Sequence, residues 1–206
     1  VTALGASRAR LEEAFGRSFE AMHRLIGLLT RFDGTSPVSL LNETGRLDDP
    51  PPEVRDVVAH ALDYHRTTRG AFDVSVAPLV DLFWDRLVRE TPVEPTPGEV
   101  AEALERVGAG HVVLSRRRIG LGRPGMRLTL DGIAKGYIVD AVCAELDRGG
   151  VRRFLVNAGG DIRTGGTNAD GRPWTIAVEH PWRRGDYPDA IALTDAAVAT
   201  SGNYER

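Results

Sequence analysis

The chain has 206 residues, of which 42% are hydrophobic and 27% charged, a composition typical of a globular protein with a sizeable core. Its 26 basic and 29 acidic side chains give a formal net charge of −3, so the sequence carries no electrostatic signature of a nucleic-acid partner. The single cysteine excludes an internal disulfide, and no apolar run reaches the roughly 20 residues of a membrane span.

The N-terminal half is predicted to be helical. Residues 7–30 read as a long amphipathic helix with an apolar stripe of Leu11, Phe15, Phe19, Met22, Leu25, Ile26 and Leu29. A second helix starts at the prolines 50–52, which fit a first turn, and buries Val54, Val57, Val58, Ala61 and Leu62. Residues 80–87 continue as a helix with Trp84 in the core.

The chain between residues 90 and 98 is predicted to be a lid or linker, because it contains three prolines. Thr96 lies three residues before Glu99, which is the signature of a capping box at the start of another helix.

Short strands dominate the C-terminal half. Residues 112–114 and 119–121 form a hairpin around an arginine run, and residues 174–178 form a strand. Residues 191–193 and 197–199 are predicted to pair as a further hairpin that turns at Asp195. We therefore expect an α+β fold in which long N-terminal helices pack against a mostly antiparallel C-terminal sheet.

The stretch 128–163 organises the chain. A strand at 128–130 leads to a turn at Asp131 and Gly132, and the Asp131 carboxylate is predicted to cap the following helix. This helix should bury Ile133, Tyr137, Ala141, Ala144 and Leu146 and end at Gly149 and Gly150. A short strand at 154–156 and a glycine turn at 157–161 follow.

Lys135 is placed in the first turn of that helix, where the helix dipole disfavours a cation unless an anion shares the site. A pyrophosphate at the helix start would remove the conflict; the alternative is a capped helix with a solvated lysine. Two interpretations of the turn at Gly159 and Gly160 remain open. It either lets the backbone approach a ligand closely or only reverses the direction of the chain.

Asp73 lies between Phe72 and Val74, and a buried carboxylate there needs a partner. Two interpretations remain open, a turn cap and a ligand contact. Neither a G-x-G-x-x-G fingerprint nor a G-K-[ST] phosphate loop is present, which argues against a nicotinamide dehydrogenase and a P-loop NTPase.

Five segments in order resemble the FAD:protein FMN transferase family, the ApbE-like flavin transferases. They are TRFDGTSPVSLLN (30–42), GAFDVSVAPLV (70–80), DGIAKGYIVDAV (131–142), NAGGDIR (157–163) and AVATSGNYER (197–206). The resemblance implies an enzyme that takes FAD, joins its FMN part to a threonine or serine of a target flavoprotein, and releases AMP with the help of Mg²⁺.

The resemblance also implies a set of site residues. FAD contacts are expected from Phe32, Ala71, Phe72, Asp73, Lys135, Gly159, Gly160 and Asp161. The main-chain carbonyl of Gly132 matches a Mg²⁺ ligand of the family. Thr129 stands where the family commonly has a flavin-contacting aspartate, so either Asp131 takes over this contact or it is lost.

We expect one ApbE-like domain over 1–206, incomplete at both ends, because the Met-Gly-Thr strand usual before the first helix is not seen. The chain also stops before the family's histidine strand and its aspartate and threonine metal ligands. An alternative is therefore a flavin-binding module of the same fold without the chemistry. An extracytoplasmic or membrane-anchored location is suggested by family analogy alone.

Overall fold

The computed structural model describes residues 1–5, 7–88 and 93–201. Its α-helices are α1 (Arg8–Leu29), α2 (Pro37–Thr44), α3 (Pro52–Thr67), α4 (Ala77–Leu87), α5 (Pro97–Leu104) and α6 (Ala134–Arg148). Its strands are β1 (Thr2–Leu4), β2 (Arg46–Asp48), β3 (Val112–Leu114), β4 (Arg118–Leu121), β5 (Arg153–Ala158), β6 (Asp161–Gly165), β7 (Trp174–Val178), β8 (Asp189–Leu193) and β9 (Ala197–Ala199). Every pairing between these strands is antiparallel, so the predicted α+β class is confirmed.

The strands form three sheets rather than one, in the orders β1-β5-β6-β9, β2-β4-β3 and β7-β8. Two of the strands, β1 and β2, come from the N-terminal half. A strand therefore does precede the first helix, although the Met-Gly-Thr motif is absent from its sequence. The hairpin predicted between β3 and β4 is confirmed.

The hairpin predicted between residues 191–193 and 197–199 is wrong. β8 pairs with β7, and β9 pairs with β6. The turn at Asp195 exists, with a left-handed φ of +49°, but it is tied to the end of β6. Gly166 N–H donates to Asp195 Oδ1 at 2.7 Å, and Thr164 N–H donates to the Ala196 carbonyl at 2.9 Å.

The chain divides into two compact units, Val1–Arg24 with Lys135–Arg206, and Leu25–Ala134. We call them the hairpin unit and the central unit. The hairpin unit buries one apolar cluster around α6 and β5, consisting of Ala14, Val139, Val142, Cys143, Leu146, Val151, Phe154 and Val156. The central unit buries side chains from most of its elements, among them Leu25, Val38, Leu41, Val54, Val57, Val58, Ala61, Ile119, Met126, Leu128 and Leu130.

The positions of the helices were predicted better than the residues that they bury. The stripe of α3 is confirmed except for Leu62, which is half-buried. In α1, Phe19 and Ile26 are exposed, because the helix buries the small residues Ala14 and Ser18, and Ser18 Oγ donates to the Val142 carbonyl at 3.4 Å. Trp84 is also exposed, since α4 buries its first turn at Ala77 and Pro78 instead.

α6 buries Val139, Val142, Cys143 and Leu146, so of the predicted face only Leu146 is fully buried and Ala144 is exposed. The glycine stop is confirmed: Gly150 has a φ of +74°, and Val151 N–H donates to the Leu146 carbonyl at 2.9 Å. This pattern is a Schellman motif.

The predicted lid lies partly outside the described residues, at 90–92. Residues 93–96 have no regular structure, and Pro97 and Gly98 already belong to α5. The capping box of Thr96 and Glu99 is confirmed. No helix in the described part of the chain is both long and apolar enough to cross a membrane.

Candidate functional site

Asp73 in the central unit is held by the protein's own donors. Its Oδ1 accepts hydrogen bonds from the Ser75 N–H at 2.7 Å and from the Ser75 hydroxyl at 2.5 Å. Its Oδ2 accepts from the Ala109 N–H at 3.0 Å. The side chain is 11% exposed. These contacts are those of a turn cap; a flavin contact by Asp73 stays a prediction.

Two further residues complete this turn and were not predicted from the sequence. His65 Nδ1 lies 3.0 Å from the Phe72 carbonyl and 3.3 Å from Asp73 Oδ2. The Ser75 hydroxyl, fully buried, accepts from the Gly108 N–H at 2.7 Å. No local pattern could have indicated these contacts, because they join residues 7 to 33 positions apart.

The residues before Asp131 run beside the Asp73 turn but do not form the predicted strand at 128–130. Thr129 N–H donates to the Val74 carbonyl at 2.8 Å, and the neighbouring Leu128 is bracketed by the amide of Asn42. That amide donates to the Leu128 carbonyl at 2.8 Å and accepts from its N–H at 2.7 Å. A side-chain amide therefore replaces the strand partner at Leu128.

Thr129 is buried, and its hydroxyl accepts from the Asp131 N–H at 3.2 Å. The predicted helix cap by Asp131 is wrong. α6 begins at Ala134, and the Leu130 carbonyl accepts from the N–H groups of Ile133 and Ala134 at 2.9 and 2.7 Å. The backbone turn thus satisfies these donors, and the Asp131 carboxylate contacts Arg31 instead.

Gly132 lies against the Phe72 ring. A Cβ at Gly132 would be 3.3 Å from Phe72 Cε2, so a side chain at this position would crowd the ring. Tyr64 contacts the ring edge-on, with centroids 5.9 Å apart. Two residues expected at the site, Phe72 and Gly132, therefore meet. Ala71, which precedes them, is exposed.

Arg31 connects several of these residues. Its Nη1 lies 2.7 Å from Asp81 Oδ1 on α4, its Nε lies 3.4 Å from Asp131 Oδ2, and its Cζ lies 4.6 Å from the centroid of the Phe32 ring. Burial alone would lower the pKa of Arg31, but hydrogen bonds and attraction to the two carboxylates raise that pKa above its ordinary value. Phe32 is 77% exposed.

In the hairpin unit, Lys135 meets the turn between β5 and β6. Its Nζ donates to the Gly159 carbonyl at 3.2 Å and lies 3.5 Å from Asp161 Oδ1. The Lys135 side chain is 47% exposed and that of Asp161 is 19% exposed. The ammonium thus has partners within its unit and is accessible to a further anion.

The backbone of the turn favours glycine at both positions. Gly159 and Gly160 have φ values of +64° and +95°, which favour glycine. Gly160 N–H donates to Asn157 Oδ1 at 3.1 Å, and Thr200 N–H donates to the Gly160 carbonyl at 3.1 Å. A Cβ at Gly160 would lie 2.5 Å from the Thr200 hydroxyl, whereas one at Gly159 would meet nothing within 4 Å.

The sequence-predicted residues therefore fall into two groups. Phe32, the segment 71–73, Thr129, Asp131 and Gly132 belong to the central unit, and Lys135, Gly159, Gly160 and Asp161 belong to the hairpin unit. The chain passes from the first group to the second between Ala134 and Lys135.

One feature of the sequence singles out Lys135. Of the 26 basic side chains it is the one lysine, and all the others are arginines. An ammonium is a compact, strongly hydrated charge, whereas a guanidinium is a planar fork. The chemistry at residue 135 is therefore different from that at the arginine side chains.

Metal ligands are sparse. Within residues 1–5, 7–88 and 93–201, no group of three or more His, Cys, Asp or Glu side chains is arranged to hold a metal ion. The carboxylates nearest the predicted Gly132 ligand and the glycine turn, Asp131 and Asp161, contact Arg31 and Lys135 respectively. The described side chains alone do not fit the octahedral oxygen set that Mg²⁺ demands.

The sequence profile described as the ApbE family matches residues 3–206. The FAD:protein FMN transferase of Vibrio cholerae is 36% identical over 149 residues, which are 72% of this chain and 45% of that protein. The FAD:protein FMN transferase of Haemophilus influenzae is 30% identical over 185 residues, covering 85% of this chain and 54% of that protein.

The crystal structure of the ApbE protein from Thermotoga maritima is similar in fold, with a TM-score of 0.88 and 30% sequence identity. The match covers 98% of this chain and 66% of that one. The chain thus spans about half the length of the curated relatives it matches.

Proposed function

This chain belongs to the ApbE family, and from that premise we propose that it uses FAD as a substrate and transfers the FMN part to a threonine or serine of a target flavoprotein. In this reaction the acceptor hydroxyl oxygen attacks the phosphorus on the FMN side of the pyrophosphate. A new phosphodiester bond forms, the bond to the bridging oxygen breaks, and AMP leaves with that oxygen. The hydroxyl proton passes to a base.

The observation that carries the proposal, beyond family membership, is the position of Lys135. It lies in the first turn of α6, where the helix dipole favours an anion, and it is half-exposed beside the glycine turn. In phosphoryl transfer, most of the catalytic effect comes from positioning and neutralising the phosphates. We therefore assign the FAD pyrophosphate to Lys135, and to the start of α6.

The flavin ring is assigned to the aromatic side chains of the central unit, Phe32 and Phe72. Asp73 supports the second of these through its turn, and the proposal gives it this positioning role rather than a direct contact. Thr129 has a positioning role as well, because its hydroxyl accepts a hydrogen bond from the Asp131 N–H. Asp131 keeps a half-exposed carboxylate and is the proposed acidic contact.

Mg²⁺ belongs to the proposed reaction of the whole protein, with the Gly132 carbonyl as one ligand. The described side chains do not form a complete site, so no step of the proposal depends on a metal bound by them. Strengthening of FAD binding by Mg²⁺ would indicate that the phosphates of FAD themselves supply ligands.

The lack of a three-ligand cluster among the described residues favours one alternative, a flavin-binding module that does not transfer FMN. The two proposals differ in their products. Only the transferase yields a flavin that stays attached to its acceptor after denaturation, together with an equal amount of AMP.

The test is a titration of the 206-residue chain with FAD, with and without MgCl₂, followed by incubation with a panel of flavoprotein acceptor domains. We expect saturable binding, AMP release and a fluorescent flavin on the denatured acceptor. Binding without either product would favour the module. Absence of FAD binding under both conditions would contradict both proposals.

A further inference from the structure

We infer that Arg31 is a positioning residue of the proposed FAD site, where its guanidinium holds the Phe32 ring and the Asp131 carboxylate in place. The inference rests on the proposed function. It starts from the geometry of the central unit, in which Arg31 contacts both of these residues.

Arg31 is itself firmly held. Its side chain is 13% exposed, and its Nη1 forms a 2.7 Å ion pair with Asp81, which is 21% exposed. The other oxygen of Asp81 forms an ion pair with Arg127, whose Nη2 lies 2.8 Å from Asp81 Oδ2. The carboxylate of α4 is thus fixed by two arginines, and it fixes the position of the Arg31 guanidinium in turn.

The ring of Phe32 lies against the Arg31 guanidinium and is mostly solvent-exposed. Exposed aromatic residues are common and need no explanation by themselves. Here, however, a guanidinium 4.6 Å from the ring centroid attracts the ring and favours the rotamer in which the two are in contact. The exposed remainder of the ring is then presented in a preferred orientation, which suits a planar ligand such as a flavin.

The contact with Asp131 is longer, at 3.4 Å, and the Asp131 side chain remains 59% exposed. Arg31 therefore restrains this carboxylate without removing it from solvent. Two acidic and two basic side chains, Asp81, Asp131, Arg31 and Arg127, balance in charge. Loss of Arg31 would leave Asp81 with one cation and release both Phe32 and Asp131.

The experiment is a double-mutant cycle on FAD affinity with Arg31→Met and Phe32→Ala. A single cation–π contact corresponds to about a two- to fivefold change in an equilibrium constant. With the restraint on Asp131 also lost, we expect Arg31→Met to weaken FAD binding about fivefold to tenfold. In the Phe32→Ala background the same change should have a clearly smaller effect, because the ring through which Arg31 acts is gone.

Arg31→Lys tests the planar contact, since lysine keeps the charge but cannot face both carboxylates and the ring; we expect an intermediate affinity. It also replaces Arg31→Met in the cycle if that variant does not fold. Arg118→Met is the matched control, because it breaks an exposed ion pair with Asp48 in the β2-β4 sheet. This control should bind FAD as the wild type does.

A merely structural role for Arg31 would lower the melting temperature without making the effect on FAD affinity depend on Phe32. Wild-type affinity in Arg31→Met, or an equal loss in both backgrounds, would overturn the inference while leaving the proposed function intact. A wild-type chain that does not bind FAD would overturn both.

Discussion

Two turns with expected ligand contacts, one in each unit, use their polar groups in opposite ways. In the turn at 71–75, both oxygens of Asp73 accept hydrogen bonds from Ser75 and Ala109. In the turn at 157–161, Lys135 and Asp161 are 3.5 Å apart, and the lysine is half-exposed. The carboxylate of the first turn is hydrogen-bonded within the protein through both oxygens, whereas the second turn retains a charge that an external anion can reach.

Because of this difference, we expect the first turn to contribute mainly to the stability of the fold and the second mainly to ligand binding. A buried carboxylate that satisfies several donors is costly to remove, because each donor then loses its partner. An exposed ammonium with longer contacts contributes little to the stability of the fold but much to the affinity for a phosphate. We therefore expect substitutions in the first turn to unfold the protein and substitutions in the second to weaken ligand binding.

The largest effect is expected for Asp73→Ala. Three donors in a mostly buried environment lose their acceptor, which should lower the free energy of unfolding by about 2–4 kcal/mol. Asp33→Ala is the matched control, since Asp33 makes the same pair of bonds to Thr35 N–H and hydroxyl, at 2.9 and 2.7 Å, but is exposed. Urea denaturation of both variants measures the difference.

The control should lose much less stability than Asp73→Ala. An equal small loss in both, accompanied by weaker FAD binding in Asp73→Ala alone, would show that Asp73 is a ligand contact and not a structural cap.

Lys135→Ala should leave the free energy of unfolding nearly unchanged and weaken FAD binding by about 1.5–3 kcal/mol, the contribution of a charge-assisted contact. Lys135→Arg keeps the charge and tests whether a compact ammonium is needed. Isothermal titration with FAD gives both affinities. Unchanged affinity in Lys135→Ala would contradict the assignment of the pyrophosphate to this site.

Gly160→Ala and Gly159→Ala test how closely Thr200 approaches the second turn. Both impose a left-handed conformation on alanine, at about 1–2 kcal/mol. Only the first also drives a methyl group to within 2.5 Å of the Thr200 hydroxyl. Gly160→Ala should therefore lower the melting temperature more. Equal melting temperatures would mean that Thr200 does not approach the turn as described.

An effect confined to alkaline pH concerns Cys143, on the same helix as Lys135. Burial raises the pKa of this thiol to about 12. In the unfolded chain it ionises near its ordinary value of 9.0, so between these values the unfolded state binds fewer protons and stability falls as pH rises. Below pH 9 this contribution is constant.

Cys143→Ala should therefore flatten the decline in the free energy of unfolding between pH 9 and the alkaline limit of folding. At pH 8 the native thiol should react with a thiol reagent only as fast as the protein opens. Rapid stoichiometric modification of the native protein would contradict the burial of Cys143.

The sequence predicted the order and period of the larger elements because these depend on local patterns. α1, α3 and the capping box of α5 follow from apolar spacing and from Thr96 and Glu99. Strand partners depend on long-range contacts and were predicted less well. β9 pairs with β6, and beside this pair Asp195 Oδ1 accepts from the Gly166 N–H, a bond that joins residues 29 apart.

The candidate site shows the same limit. The resemblance located Lys135 and the glycine turn, and their meeting depends on one lysine side chain that reaches a residue 24 positions away. Arg31, His65 and Asn42 were not predicted, because an arginine, histidine or asparagine beside an apolar residue has no distinctive spacing. Their roles follow only from distances to Asp131, Asp73 and Leu128.

The most direct test of the central claim uses the fact that Lys135 is the one lysine in the sequence. Acylation with an amine-selective reagent, mapped by peptide mass spectrometry, measures its reactivity, and the amino terminus of the chain provides an internal control. We predict that saturating FAD protects Lys135 and leaves the terminal amine equally reactive. Equal modification of Lys135 with and without bound FAD would contradict the assignment of the pyrophosphate to this residue.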